Sequence, residues 1–278
     1  MFGVSSNSFR PAETAKRRPD GKNPKEGLPD PAPTGPINLG GPLKVVVISA
    51  VIFVVAQILA SLVLLVVAYT SGRTVGAASN WLANSPAASF WFTLLSEGLL
   101  IGLVLLAVRR AKLRLPAVGL NRPRRDFIWR AIIGYLAYVV MIIITFAVVS
   151  ALIPGFEQAE EQDLLGFEKA SGPAALGMVF LALVVLAPIG EEILMRGYLY
   201  SGLRARLRYA PAAILTSLLF GFLHLGAVSG EGVLWTAGLA TFLLSLVLVH
   251  LREKTGNIWA GVIVHALNNL VAFGLRFL

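Results

Sequence analysis

Seven apolar runs, each near the length of a bilayer crossing, constrain this chain more than any other feature. They fall at residues 43–69, 90–108, 128–153, 173–190, 211–227, 233–251 and 257–275. A spanning helix needs about 20 residues. Hydrocarbon offers no partner to an unpaired backbone group, so only helices and closed barrels are stable within it. No β-barrel alternation, heptad or longer repeat competes with the helical reading. Hydrophobic residues make up 56% of the 278 and charged residues only 14%, too apolar for a soluble globule. The expected fold is all-α, a polytopic transmembrane helix bundle of about seven spans. Two runs are irregular. The apolar part of the fourth ends at Gly190, yet helix-compatible sequence continues to Arg206, and the fifth is short at both ends.

Charge sets the expected topology. A net charge of +9 would suggest nucleic acid in a soluble protein. Here the basic residues cluster in short segments between apolar runs, so no nucleic-acid partner is expected. Arg109, Arg110, Lys112, Arg114, Arg122, Arg124 and Arg125 share one loop; Arg204, Arg206 and Arg208 share a turn; Arg252 and Lys254 share another. The alternate loops hold only Arg73, or are acidic (Glu157, Glu160, Glu161, Asp163, Glu168), or hold Glu231. Seven spans with a cytoplasmic N-terminus place every basic loop inside. The expected location is the plasma membrane of a prokaryote, with membrane lipids as obligatory partners.

Three segments are expected. Residues 1–42 contain eight prolines and interspersed charges, and read as a disordered cytoplasmic tail that cannot bury enough apolar surface to fold. An anionic-lipid contact is its alternative role. The first apolar run lies too far in and is too long for a signal peptide. Residues 43–172 form the N-terminal transmembrane helices, and 173–278 the segment that carries chemistry. There is no cysteine, so thiol catalysis, disulfides and Cys-ligated metals are excluded.

Ionisable groups inside spans are costly and point to function. Here they are Glu97, Glu191, Glu192, Arg196, His224 and His265, with Asn269 as a polar companion. Glu192 and Arg196 are four apart, share a helical face and can pair. Glu191 points about 100° away, with no obvious local partner. His265 and Asn269 also share a face. Counted along their helices from the basic turns, Glu191 and His224 lie roughly 20 Å deep, and His265 and Asn269 about 12 and 18 Å. Three helices therefore bring polar groups to similar depth from one side. Glu97 reaches a similar depth, with structural pairing as its default role.

A carboxylate and a histidine can hold and deprotonate a water. A second histidine and an amide can donate to the oxyanion formed when that water attacks a carbonyl. Together these are the parts for amide hydrolysis without a covalent intermediate. No cofactor is favoured. The alternative is a divalent metal, zinc, held by Glu191, His224 and His265. Asn269 suits an oxyanion donor better than a metal ligand, and no H-E-x-x-H motif is present.

At these positions the sequence resembles the CPBP family, which takes in the type II CAAX prenyl endopeptidases and bacteriocin-processing and abortive-infection proteins. The pattern E-E-x-x-x-R is met by Glu191, Glu192 and Arg196, F-x-x-x-H by Phe220 and His224, and H-x-x-x-N by His265 and Asn269. Gly197-Tyr198-Leu199 and Thr255-Gly256-Asn257-Ile258-Trp259 look similar too. The resemblance spans residues 174–273. It implies an intramembrane endopeptidase with a cytoplasm-facing cavity, acting on a membrane-associated protein or peptide, with CAAX-type processing as one substrate class. It also implies that Glu191 and His224 activate water, that His265 and Asn269 stabilise the oxyanion, and that Glu192, Arg196 and Phe220 support them. Family members include both metal-dependent and glutamate-dependent proteases, so the resemblance leaves the cofactor open.

Three rivals differ in class. A non-catalytic immunity, chaperone or regulatory protein on the same scaffold would survive loss of Glu191. A proton-coupled transporter would carry inverted repeats of broken helices, which the sequence lacks. A serine protease would need Ser229 near the histidines, and it falls at the edge of a span.

Overall fold

A computed structural model describes residues 37–153, 165–226 and 234–278. The expected tail lies outside them except for 37–42, as do Glu157, Glu160, Glu161, Asp163, Ser229 and Glu231. Every regular element among the described residues is a helix, and there are no strands. The helices are α1 Pro42–Thr70, α2 Val75–Asn84, α3 Pro86–Arg110, α4 Asp126–Leu152, α5 Gly172–Arg204, α6 Tyr209–Leu223, α7 Trp235–Thr255 and α8 Trp259–Phe277.

Six of these are long and apolar enough to cross a membrane: α1, α3, α4, α5, α7 and α8. The run expected at 211–227 differs. Helix α6 has 15 residues, about 22 Å of rise, short of a hydrocarbon core of about 30 Å. It ends at Leu223, so His224 caps its C-terminus instead of lying along it. The short helix α2 caps the loop between α1 and α3. Leu39, expected in the tail, is buried in the central core.

Helix α5 is 33 residues long and lies at the centre. It touches α1 and α3 on one side and α6 and α8 on the other, while α4 packs on α7 and α8. Outward faces remain apolar: Val47, Val51 and Ile58 on α1, and Ile132, Leu136 and Ile143 on α4, are all about half exposed. An apolar belt this continuous suits lipid and not water.

Two stretches of α5, Leu181–Leu186 and Ile193–Leu199, are wound as π-helix. The first has a local cause. Pro188 has no N–H and its ring crowds the carbonyl four residues before it, so the preceding turn widens. Ala187 N–H donates to Ala182 O instead of to Leu183 O. The donor five residues beyond Leu183 would be Pro188, which has none. The Leu183 carbonyl is thereby released from the helix ladder, between the charged group and the N-terminal end of α5.

The Thr255–Trp259 stretch is a turn and a clamp. Gly256 takes a left-handed conformation with φ 66° at the end of α7, where a side chain would be strained. Asn257 Oδ1 accepts from Trp259 N–H at 3.2 Å, capping α8. Trp259 Nε1 donates to Asn121 O at 2.9 Å and Asn257 Nδ2 to Arg122 O at 3.2 Å. The basic loop before α4 is thus tied to the α7–α8 turn, which sets the height of α8 against the rest of the bundle.

Candidate active site

The site is built around a buried ion pair. Glu192 and Arg196 are both fully buried, and Arg196 Nη1 donates to Glu192 Oε1 at 2.7 Å. Arg196 Nη2 donates to Ser245 Oγ of α7 at 2.7 Å. The guanidinium also lies 4.5 Å from the Phe220 ring centre, so a cation–π contact with α6 joins the two hydrogen bonds. One arginine therefore ties α5 to α6 and α7.

Phe220 is a hub of ring contacts. Its ring lies 4.6 Å from that of His224 and 5.7 Å, edge-on, from that of His265. His224 Nδ1 stands 2.9 Å from Phe220 O. A carbonyl only accepts, so Nδ1 carries the proton, and in the neutral ring Nε2 is left as an acceptor. The side chain thus satisfies one of the open carbonyls at the end of α6 while its basic nitrogen is free for chemistry.

His265, 3% exposed, sits between two carboxylates. Its Nδ1 donates to Glu192 Oε1 at 3.3 Å, and its Nε2 lies 3.8 Å from Glu191 Oε2. Glu192 reaches it across Gly261, where a Cβ would come within 2.8 Å of Glu192 Oε2. Glu191, expected to lack a local partner, meets His265 instead. Asn269, one turn beyond, donates from Nδ2 to Leu183 O at 2.8 Å, the carbonyl released by the π-turn. One of its two N–H groups is thereby engaged and the other is free.

Glu191, His224, His265 and Asn269 all line one cavity of about 380 Å³. Glu191 keeps 24% of its side chain exposed there, against none for Glu192. The remaining walls come from Leu183 and Ala187 of α5, Thr241 and Leu244 of α7, and Asn268 to Phe277 of α8. The lining runs from Glu191 and His265 to Arg276 and Phe277 near the end of α8.

Among the described residues, no three His, Asp or Glu side chains are grouped to hold a metal ion. As placed, His265 has one nitrogen on Glu192 and the other towards Glu191, and His224 Nδ1 is held by a carbonyl. Those Nδ1 contacts are ones that metal-bound histidines also make, and Glu191, His224 and His265 suit zinc in residue type, but as placed they are not grouped closely enough to hold one.

Glu97 of α3 joins this neighbourhood, although nothing in its local sequence assigned it. Its carboxyl lies against the backbone of Gly190, where an added methyl group would overlap it. The sequence signal was the glycine directly before the paired glutamates, whose meaning depends on which helix faces it.

Residues 173–271 match the family described as Type II CAAX prenyl endopeptidase Rce1-like. The match runs from α5 into α8, falls on the resemblance carried by the three polar groups, and is in keeping with a CPBP intramembrane protease. No curated protein and no solved structure matches the chain.

Removing one partner of a buried pair leaves a charge with no compensation. Arg196→Met should therefore destabilise the bundle by about 3–5 kcal/mol, read as a lower thermal unfolding midpoint in detergent and a lower membrane yield. The double change Glu192→Gln with Arg196→Met should recover much of that loss, because no lone charge remains.

Proposed function

We propose that this integral membrane protein is an endopeptidase that hydrolyses a peptide bond of a membrane-associated protein or peptide, with Glu191 as the general base. The observation that carries this reading is the meeting of Glu191, His224, His265 and Asn269 on one cavity. The family match supports protease activity in general and a CAAX-type substrate as the first class to test.

In this reading a water rests between the Glu191 carboxylate and His224 Nε2. Glu191 takes a proton from the water as its oxygen bonds to the substrate carbonyl carbon. The carbonyl oxygen becomes an oxyanion, to which His265 Nε2–H and the free Asn269 N–H donate. With Nδ1 already donating to Glu192, His265 can offer Nε2–H only as the doubly protonated ring. The local charges then balance, Arg196 against Glu192 and His265 against Glu191. Collapse breaks the C–N bond, and the proton held by Glu191 passes to the leaving amine. Phe220 and the Glu192–Arg196 pair hold the histidines in place. The apolar surround keeps the charged groups strong by excluding bulk water. We assign this chemistry to the side chains alone, with no metal step.

Substrate reaches the site from the end of the bundle where α8 terminates. Because the chain has no cysteine, single cysteines report orientation cleanly. By the charge rule, Arg208→Cys should be protected and Leu278→Cys labelled by an impermeant maleimide on intact cells. The reverse pattern would put the mouth of the cavity in the cytoplasm, as the family resemblance implies.

Comparing membrane-peptide termini between cells with wild type and with Glu191→Gln tests the central claim. At least one terminus should disappear, with its rate of formation down by about 10²-fold or more. An unchanged set of termini and an unchanged phenotype would return the protein to the non-catalytic class. Metal analysis of the purified wild type and of His224→Ala should find no stoichiometric zinc in either; zinc present in the wild type and lost in the variant would overturn the metal-free assignment.

A further inference from the structure

Glu97 has no role in the mechanism above, yet an acid in its position is costly. It stands midway along α3, is only 7% exposed, and its Oε2 has no hydrogen-bond partner. A buried carboxyl without a partner is selected against unless something compensates it. Its surroundings narrow the choice. The carboxyl packs on the Gly190 backbone, in a space that exists only because residue 190 has no side chain. The next residue is Glu191. From the elements packed against α3, which are α1, α2, the turn Leu165–Lys169 and α5, Glu191 is the charged group that acts on Glu97. Glu191 Oε2 is itself buried and has no hydrogen bond, and His265 Nε2 stands 3.8 Å from it.

Two neighbouring acids, each with an unpartnered buried oxygen, satisfy both needs when one is neutral and donates its O–H to the other. The two are not equivalent. Glu191 opens onto the cavity, where solvent and His265 favour the carboxylate. Glu97 is enclosed against α5 and, among the described residues, has no cation acting on it.

We propose that Glu97 is a positioning residue of the site, a neutral carboxyl whose O–H donates to Glu191 and holds that carboxylate facing the cavity. Gly190 is small because this contact passes over it. The role of Glu97 rests on the reading of Glu191 as base, while the hydrogen bond itself does not. In that role Glu97 leaves the lone pair of Glu191 that points into the cavity free for the water. It also supplies, from an adjacent helix, the orientation that Glu192 gives to His265.

The test separates the two claims. Infrared difference spectra of purified full-length protein, in H₂O and D₂O, compare wild type with Glu97→Gln. The wild type should show one protonated-carboxyl C=O band that shifts in D₂O and is missing from the variant. In Glu191→Gln the same band should remain and move, because its acceptor has changed from carboxylate to amide. Absence of the band, or a band indifferent to Glu191→Gln, overturns the proposal whatever the protein cleaves.

The second arm follows the peptide terminus whose formation depends on Glu191. Glu97→Gln keeps an N–H donor and should form it within roughly threefold of wild type. Glu97→Leu removes the donor and should slow it by about ten- to hundredfold, the range for a hydrogen bond to a charged group. Both comparisons are made at matched membrane abundance and matched unfolding midpoint. Wild-type rates in a folded Glu97→Leu variant, or equal losses in the Gln and Leu variants, overturn the donor role. If no terminus depends on Glu191, the proposed function fails while the infrared result for Glu97 stands.

Discussion

The Glu192–Arg196 pair is the interaction on which the rest of the site depends. Two full charges with no exposed surface are stable in an apolar bundle only when they are paired and well hydrogen-bonded. That need draws in a neighbour from every side, Ser245 from α7, the face of Phe220 from α6 and His265 from α8, although Glu192 Oε2 and Arg196 Nε keep no hydrogen bond. The pair therefore acts as a registry device. A shift of any of these helices by one residue would strand a charge in hydrocarbon, at a cost far above that of a misplaced leucine.

Around this pair the backbone is adapted at specific points. Pro188 widens the turn before it and releases the Leu183 carbonyl, which Asn269 then takes. Gly190 and Gly261 have no side chain where Glu97 and Glu192 approach. Each adaptation is local and small. Together they allow four polar side chains from three helices to share one cavity while the lipid-facing surface stays apolar. π-Turns inside helices recur at functional sites because they reorient side chains without breaking the helix, and here two of them bracket Glu191 and Glu192.

Much of this was legible beforehand, for identifiable reasons. Hydrophobic length alone located six spanning helices, because lipid leaves a backbone no other choice. The four-residue spacing of Glu192 and Arg196 predicted their contact, because helical geometry is the same in every context. Other readings failed for want of information on neighbours. Apolar sequence continues past Leu223, so nothing local revealed that α6 stops there and that His224 caps it. Leu39 sat in a proline-rich stretch, and its burial depends on a surface made by α1 and α5.

The sequence by itself determined a helical membrane protein and the identity of the polar residues its spans must accommodate, because both follow from transfer free energies and helical periodicity. Only the tertiary structure decided which of those residues meet. It set His265 between Glu191 and Glu192, gave Asn269 a backbone partner, placed Glu97 over Gly190, and gathered the cavity lining from α5, α7 and α8. Contacts between helices depend on rotation and height, which the packing of the described helices sets together and no single segment encodes.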